Sequence, residues 1–327
     1  MSIADVLEFQ PRRFRHAFVE ATPELRVAPG TVVRVATLDA QGRDGSGRQR
    51  AAAGNPLSGP IHVEGAMPGD AVVVALHEVR LPGRSGFSSG AIAPHLLSER
   101  TPARGAVPLV DWVLVGEGSV ARMAPSTGAL TRLALPAEPM LGCLGVAGAS
   151  EAAGSSIRAG PHGGNLDYRG VRAGAVLLLP VTYPGGLVYL GDGHARQGDG
   201  EAAGTGIEVP LDVEMRLDVL SGERLGAPRG VTATDVFTIG TGRSLEAALR
   251  AALDELVAWL RAEARFDAEA RFDEEAIALV VGQALAIDVA NAFNPDYAVA
   301  CRLPRAVLPG GFAARCVARL PSAVPSS

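Results

Sequence analysis

Three features of the sequence predict a mostly β protein, a β-sandwich or barrel body with a C-terminal α+β portion. Short apolar runs recur along most of the chain. Turns rich in glycine and proline separate them, and the 327 residues contain 40 glycines and 23 prolines. A helical period of apolar residues begins only after residue 243.

Taken in order, TVVRVATL (31–38) alternates and then meets Asp39, and AVVVALHEV (71–79) follows the turn Pro68-Gly69-Asp70. VPLVDWVLV (107–115), ALTRLAL (129–135) and MLGCLGVAGA (140–149) are the next expected strands. AGAVLLLPV (173–181) and GLVYLGDGH (186–194) flank the turn signal Tyr183-Pro184-Gly185-Gly186, and IEVPLDVEMRLDVL (207–220) alternates in part. From there Leu245, Leu249, Ala252, Leu253, Leu256, Val257 and Leu260 fall on one helical stripe, with Ser244 as N-cap and Glu246 in the first turn. That stripe is a core or dimer face. Asp273 caps a second, more apolar helix over 273–293, residues 297–303 return to a strand, and the tail 321–327 frays. The expected organisation is an N-terminal β-sandwich-like domain over 1–150 and a second, β-rich and α+β domain over 151–327.

Composition excludes several functions. The chain is 47% hydrophobic and 20% charged, which suits a globular protein. A net charge of −5 without a basic cluster gives no footprint for nucleic acid. No apolar run reaches membrane-spanning length, and the N-terminus lacks the apolar core of a signal peptide, so a cytoplasmic protein is expected. All 30 basic residues are arginine. Without lysine there is no Walker A loop, no Schiff base and no Glu-Lys-Cys amidase triad. Cys143, Cys301 and Cys316 are too few and too scattered for a disulfide framework, and the first two lie in apolar strand patterns as buried thiols. No Gly-x-Ser-x-Gly elbow offers a serine nucleophile.

The chemistry-bearing residues gather in three glycine-lined stretches. LGDGHARQGDGE (190–201) crowds Asp192, His194, Asp199 and Glu201 into twelve positions. Asp192 and His194 are spaced i, i+2, so an extended backbone projects them to one face, and Asp199 and Glu201 repeat the spacing. The intervening glycines clear the approach to a ligand. An imidazole with carboxylates is a set that zinc accepts, whereas an all-oxygen shell suits calcium or magnesium. A metal site, a proton-transfer site and an acidic surface turn all remain open at this point. GPHGGNLD (160–167) adds His162, Asn165 and Asp167, and GPIHVEGAMPGD (59–70) adds His62 and Glu64. The shared spacing predicts that 160–167, 186–201 and 59–66 converge on one pocket.

These stretches, in this order, resemble the acetamidase/formamidase family. GPIHVEGAMPGDAVVV, then LGCLGVAGA, GPHGGNLD and GGLVYLGDGHARQGDGEAAGTGIE carry the resemblance, which runs from about His16 to about Leu308. His62 stands where that family more usually has an aromatic or apolar residue, Met67 where an acid is common, and the segment after His16 lacks the family's tryptophan pattern. The resemblance implies hydrolysis of small primary amides, formamide or acetamide, to a carboxylate and ammonia. It also implies a divalent metal near the acidic glycine loop and a homo-oligomer, a dimer in the simplest form.

The chemistry assigns expected roles. Asp167, Asp192 and His194 hold the metal, with zinc favoured over calcium or magnesium. Glu201 or Glu64 moves the proton. The backbone N–H groups of Gly163 and Gly164, or the side-chain amide of Asn165, stabilise the oxyanion, and Asp199 faces the substrate. Two alternatives stand beside this reading: a non-catalytic β-sandwich binder whose metal is structural, and the same chemistry on a larger or cyclic amide. His77 reads as a strand-surface residue and His95 as the start of a turn. Trp112, Tyr183, Tyr189 and Phe87 read as core. Asp39 either supports the site from behind or simply ends its strand.

Overall fold

The computed structural model describes residues 6–101, 105, 107–116, 118–124, 128–148, 154–264 and 272–309. Three layers stack in it: an eleven-stranded sheet, a nine-stranded sheet and two helices. The strand Ala71–Arg80 shows why its sequence is a continuous apolar run. Val72, Val74 and Leu76 enter the core between the sheets, while Ala71, Val73 and Ala75 enter the core under the helices. A strand covered on both faces has no polar side to alternate with. Val176–Pro180 repeats this, with Leu177 and Leu179 on one face and Val176 and Leu178 on the other.

Both sheets are open, so the body is a sandwich and not a closed barrel. The expected division at residue 150 does not match the sheets. Ala71–Arg80 pairs with Asp212–Leu220 on one side and Val176–Pro180 on the other, and one apolar core runs from Phe9 to Ala300.

Among the described residues the only α-helices are α1 (Leu245–Ala264) and α2 (Glu274–Ala284), both after residue 243. The backbone of α1 presses directly on the sheet, since a Cβ at Gly240 would lie 2.1 Å from Ala252 N. Helix α2 is capped by Asp273, whose side chain accepts from Ala276 N, but it stops at Ala284. The residues Ala286–Asn291, expected to be helical, form an edge strand against Tyr297–Pro304. Ile287 and Val289 are β-branched and find a ready partner there. Two further expectations are corrected. Gly128–Arg132 forms a 3₁₀ turn, leaving only Ala134–Pro136 extended. The stretch 207–220 breaks into Glu208–Val209 and Asp212–Leu220 around Pro210, which has no N–H for a ladder. Cys316 and the tail lie outside the described residues. No helix among them is long and apolar enough to cross a membrane.

Candidate active site

The strand Val188–His194 is the axis of the site. One edge pairs with Met140–Gly145, and the other is shared by Ser58–Val63 and Glu208–Val209. The register sets His194 opposite Glu208 and Cys143 opposite both Gly191 and Asn165. Two residues beyond Asn165, Asp167 comes under the same face. A 3₁₀ turn, Asp199–Glu201, brings Glu201 back to it.

Five ionisable side chains meet here with almost no water access: Asp167, Asp192, His194, Glu201 and Glu208, none more than 6% exposed. His194 Nε2 stands 3.0 Å from Glu208 Oε1, 3.8 Å from Asp192 Oδ1 and 4.0 Å from Glu201 Oε1. The ligand atoms of Asp167, His194 and Glu201 lie within 4.8 Å of one another, as do those of Asp192, His194 and Glu208. The backbone is held in an unusual shape to achieve this. Five of the described non-glycine residues have positive φ, and three are these carboxylates: Asp167 (45°), Asp192 (54°) and Glu201 (46°). Such conformations cost about 1–3 kcal/mol each and persist where surrounding structure enforces them.

The surroundings enforce them with amides. Asn291 Nδ2 donates to Asp167 Oδ2 (2.6 Å) and Glu201 Oε2 (2.7 Å), and Asn294 Nδ2 donates to Asp167 Oδ2 (2.9 Å). Asn291 Oδ1 accepts from the N–H groups of Phe293 and Asn294, which fixes the amide's orientation. Gln197 contacts His194 Nδ1, 2.8 Å away. The thiol of Cys143 donates to Asn165 Oδ1 (2.9 Å) and lies 3.9 Å from Asp192 Oδ2.

Electrostatically the cluster is unbalanced. Burial, reinforced by the neighbouring carboxylates, pushes Asp192 and Glu201 well above the ordinary carboxylate range, and burial raises Asp167 as well. Burial opposes charge on His194, but Glu208, Asp192 and Glu201 outweigh it and hold the imidazole pKa well above its usual value. Asp167 Oδ1, His194 Nε2 and Glu208 Oε2 are enclosed with no hydrogen-bond partner among the described residues. The 3.0 Å approach of His194 Nε2 to Glu208 is therefore a charge contact outside hydrogen-bond geometry. Buried carboxylates with bare oxygens facing a bare imidazole nitrogen are a donor set that fits a divalent cation.

Two of the three expected stretches therefore converge, and the third does not reach. Ser58–Val63 runs antiparallel to Val188–His194, with Ile61 opposite Val188. Glu64, exposed in the following turn, lies beyond the far end of that strand, more than about 20 Å along it from His194. It is too far to move a proton. His62 is there too, its ring over Gly185. Gly163 and Gly164 lie in a strand paired on both edges, and a Cβ would meet Leu144 O at 2.4 Å and Arg158 O at 2.5 Å. Close strand packing explains these glycines, and the ladders engage their backbone, so they are not oxyanion donors. Asp199 is exposed in an ion pair with Arg169, not turned to the cluster. Asp39 accepts from Gln41 N and Arg43 N, which makes it the turn residue. His16 binds the Ala52 carbonyl, His77 pairs with Glu214, and His95 binds the Ala292 carbonyl. The sequence reading missed Glu208, Gln197, Asn291 and Asn294. A signal was present for the last two: the chain has four asparagines, and Asn165, Asn291 and Asn294 all stand at the site.

His162 is buried outside the cluster, edge-on to Phe18 with ring centroids 5.5 Å apart, and its Nε2 has no partner. Burial lowers its pKa to about 4 against the pull of Asp296. The unfolded chain takes up this proton near pH 6.5, and the folded one only near 4. Stability from the neutral ring is thus full above pH 6.5 and is lost as pH falls towards 4, by about 3 kcal/mol in all. His162→Phe should flatten the acid limb of the melting temperature between pH 6.5 and 4. An unchanged limb would show that His162 does not set it.

The comparisons with known proteins point to the acetamidase/formamidase family. The family model described as the acetamidase/formamidase family matches residues 115–241. An acetamidase structure from Yersinia enterocolitica superposes with a TM-score of 0.78 at 26% identity, covering 94% of each chain. An acetamidase from Bacillus halodurans gives 0.70 at 26% identity, over 91% of this chain and 97% of that one. A Schizosaccharomyces pombe protein with a formamidase name is 27% identical over 210 residues, so the chain spans about half (51%) of that curated relative. With the motifs 160–167 and 190–201 folded into one buried cluster, this chain is similar to the acetamidase/formamidase family, whose model it matches over residues 115–241.

Proposed function

We propose that the protein is a metal-dependent amidohydrolase that converts short primary amides, formamide or acetamide, to a carboxylate and ammonia. The observation that carries the proposal is the sealed cluster of four carboxylates and one imidazole with three bare, inward atoms. Asp167 Oδ1, His194 Nε2 and Glu201 Oε1 form the seat for the ion. The far oxygens of Asp167 and Glu201 are already held by Asn291, which leaves the near ones for the cation. The mixed nitrogen and oxygen donors favour zinc over calcium or magnesium. When bound, such an ion supplies Lewis acidity, polarising a carbonyl and lowering the pKa of water.

Asp192 and Glu208 also stand close to His194 Nε2 and interact with one another. Burial, with Glu208 beside it, holds the Asp192 carboxyl well above the ordinary carboxylate range. This pair takes a proton from the attacking water and returns one to the departing nitrogen, so ammonia leaves and the acyl group keeps the water's oxygen. Glu201, expected as the base, is better placed as a ligand. The Asn165 oxygen is engaged by the Cys143 thiol, and its NH₂ is the donor proposed for the developing oxyanion. The cytoplasmic, homodimeric form implied by the family resemblance belongs to the same proposal.

The test is ammonia release from formamide and acetamide before chelation, after it, and after zinc is restored. Release that follows the metal supports the enzyme. A protein that binds zinc but releases ammonia from no short amide would be the structural-metal binder or an enzyme for larger or cyclic amides.

A further inference from the structure

We infer that Gln197 is a positioning residue that fixes the imidazole of His194 as the tautomer protonated on Nδ1, leaving Nε2 bare for the metal. The inference rests on the metal reading proposed above. The side chain of Gln197 is buried and touches three separate segments at once. Its Nε2 donates to the backbone oxygens of Asp167 (2.6 Å) and Ala290 (3.3 Å). Carbonyl oxygens only accept, so the NH₂ end must face them. The flipped amide would set its own oxygen against two others. The amide oxygen is therefore committed to His194 Nδ1, 2.8 Å away, and Nδ1 must carry the hydrogen. The ring also packs closely over Gly206, where an added Cβ would lie 2.6 Å from His194 Cγ.

The same side chain does more than set the tautomer. One of its acceptors is the carbonyl of Asp167, a ligand held at a φ of 45°. The other is the carbonyl of Ala290, directly before Asn291, which orients Asp167 and Glu201. Gln197 thus ties the loop after the axial strand to the edge strand Ala286–Asn291. Partners that orient a histidine from behind its metal-binding nitrogen commonly tune affinity 10- to 100-fold.

Two measurements test this. With ¹⁵N-histidine and Zn²⁺ in the wild-type protein, His194 should show a slowly exchanging Nδ1–H and coordination through Nε2. Gln197→Leu, which keeps the volume and loses the polar ends, should weaken zinc binding about 10- to 100-fold by chelator competition, while its metal-free form still unfolds cooperatively. Coordination through Nδ1 in the wild type, or equal zinc affinity in Gln197→Leu, overturns the inference. If zinc binds as expected but no short amide is hydrolysed, only the proposed function fails. If wild type and Gln197→Leu hydrolyse amides and bind zinc alike, only the role of Gln197 fails.

Discussion

His194→Ala should abolish ammonia release, by about 10³-fold or more, and strip the cation, while the circular dichroism of the folded protein is retained. The imidazole is the only nitrogen donor in either ligand group and supplies a member of both. The strand that carries it is held by neighbours on both edges, through backbone bonds the substitution leaves intact. The side chain is fully buried, so a cavity forms, but the larger change is electrostatic. In the metal-free wild type the protonated imidazole balances part of the carboxylate charge. In the variant nothing does. Asp167, Asp192 and Glu201 all have folded pKa values raised above their unfolded ones. Their contribution is present below the ordinary carboxylate pKa of about 4 and is lost as pH rises through the folded values. The metal-free variant should therefore melt higher at pH 5 than at pH 8, and the difference should exceed that of the metal-free wild type. Metal content, ammonia release and melting curves on one preparation decide the matter. Full activity with full metal occupancy would remove His194 from the ligand set and leave the cation to the carboxylates Asp167, Asp192, Glu201 and Glu208.

Much of this site was legible because its chemistry is local. Asp192 and His194 share a face through strand alternation, and glycines mark where backbones approach closely. Those signals sit within a few residues of each other and survive folding. Glu208 was harder to see, because its place is created by register: only pairing with Val188–His194 brings it beside His194. Glu64 failed for the same reason in reverse. Its spacing from His62 looked like that of the other pairs, but an antiparallel register carries it away from the cluster. Asn291 and Asn294 were hidden by the reading of 273–293 as one helix. The apolar period of 274–284 is helical, and nothing in the next few residues announces an edge strand except the β-branched Ile287 and Val289. The layered fold was readable in outline, whereas the domain division was not. Turns along the sequence do not reveal that Ala71–Arg80 and Val176–Pro180 are neighbours.

Gly142→Ala should be nearly as damaging as the loss of His194, through a single methyl group. Gly142 lies on the strand Met140–Gly145 directly over the carboxylates. A Cβ there would sit 2.5 Å from Asp167 Oδ1, 2.6 Å from Asp192 Oδ2 and 2.9 Å from the Asp192 carbonyl. Those contacts are inside van der Waals separation, so at least one carboxylate must move. Neither moves freely: both residues already have positive φ, and Asp167 is pinned by Asn291 and Asn294. Gly142 itself is not among the positive-φ glycines, so alanine tests the space and not the backbone. Its carbonyl also accepts from Leu166 N and Asp167 N, so a displaced strand would carry Asp167 with it. Crowding of this kind costs about 1–3 kcal/mol of stability. The effect on the ion should be greater, because ligands displaced by even a few tenths of an ångström no longer converge; zinc affinity and ammonia release should each fall by about 100-fold or more. Gly198→Ala is the matched control. It lies in the glycine-rich stretch 190–201 beside the site, has no positive φ, and its Cβ would meet nothing within 4 Å. It should keep metal, activity and melting temperature. Gly142→Ala with wild-type zinc content and turnover would show that the cation does not depend on the space between Asp167 and Asp192.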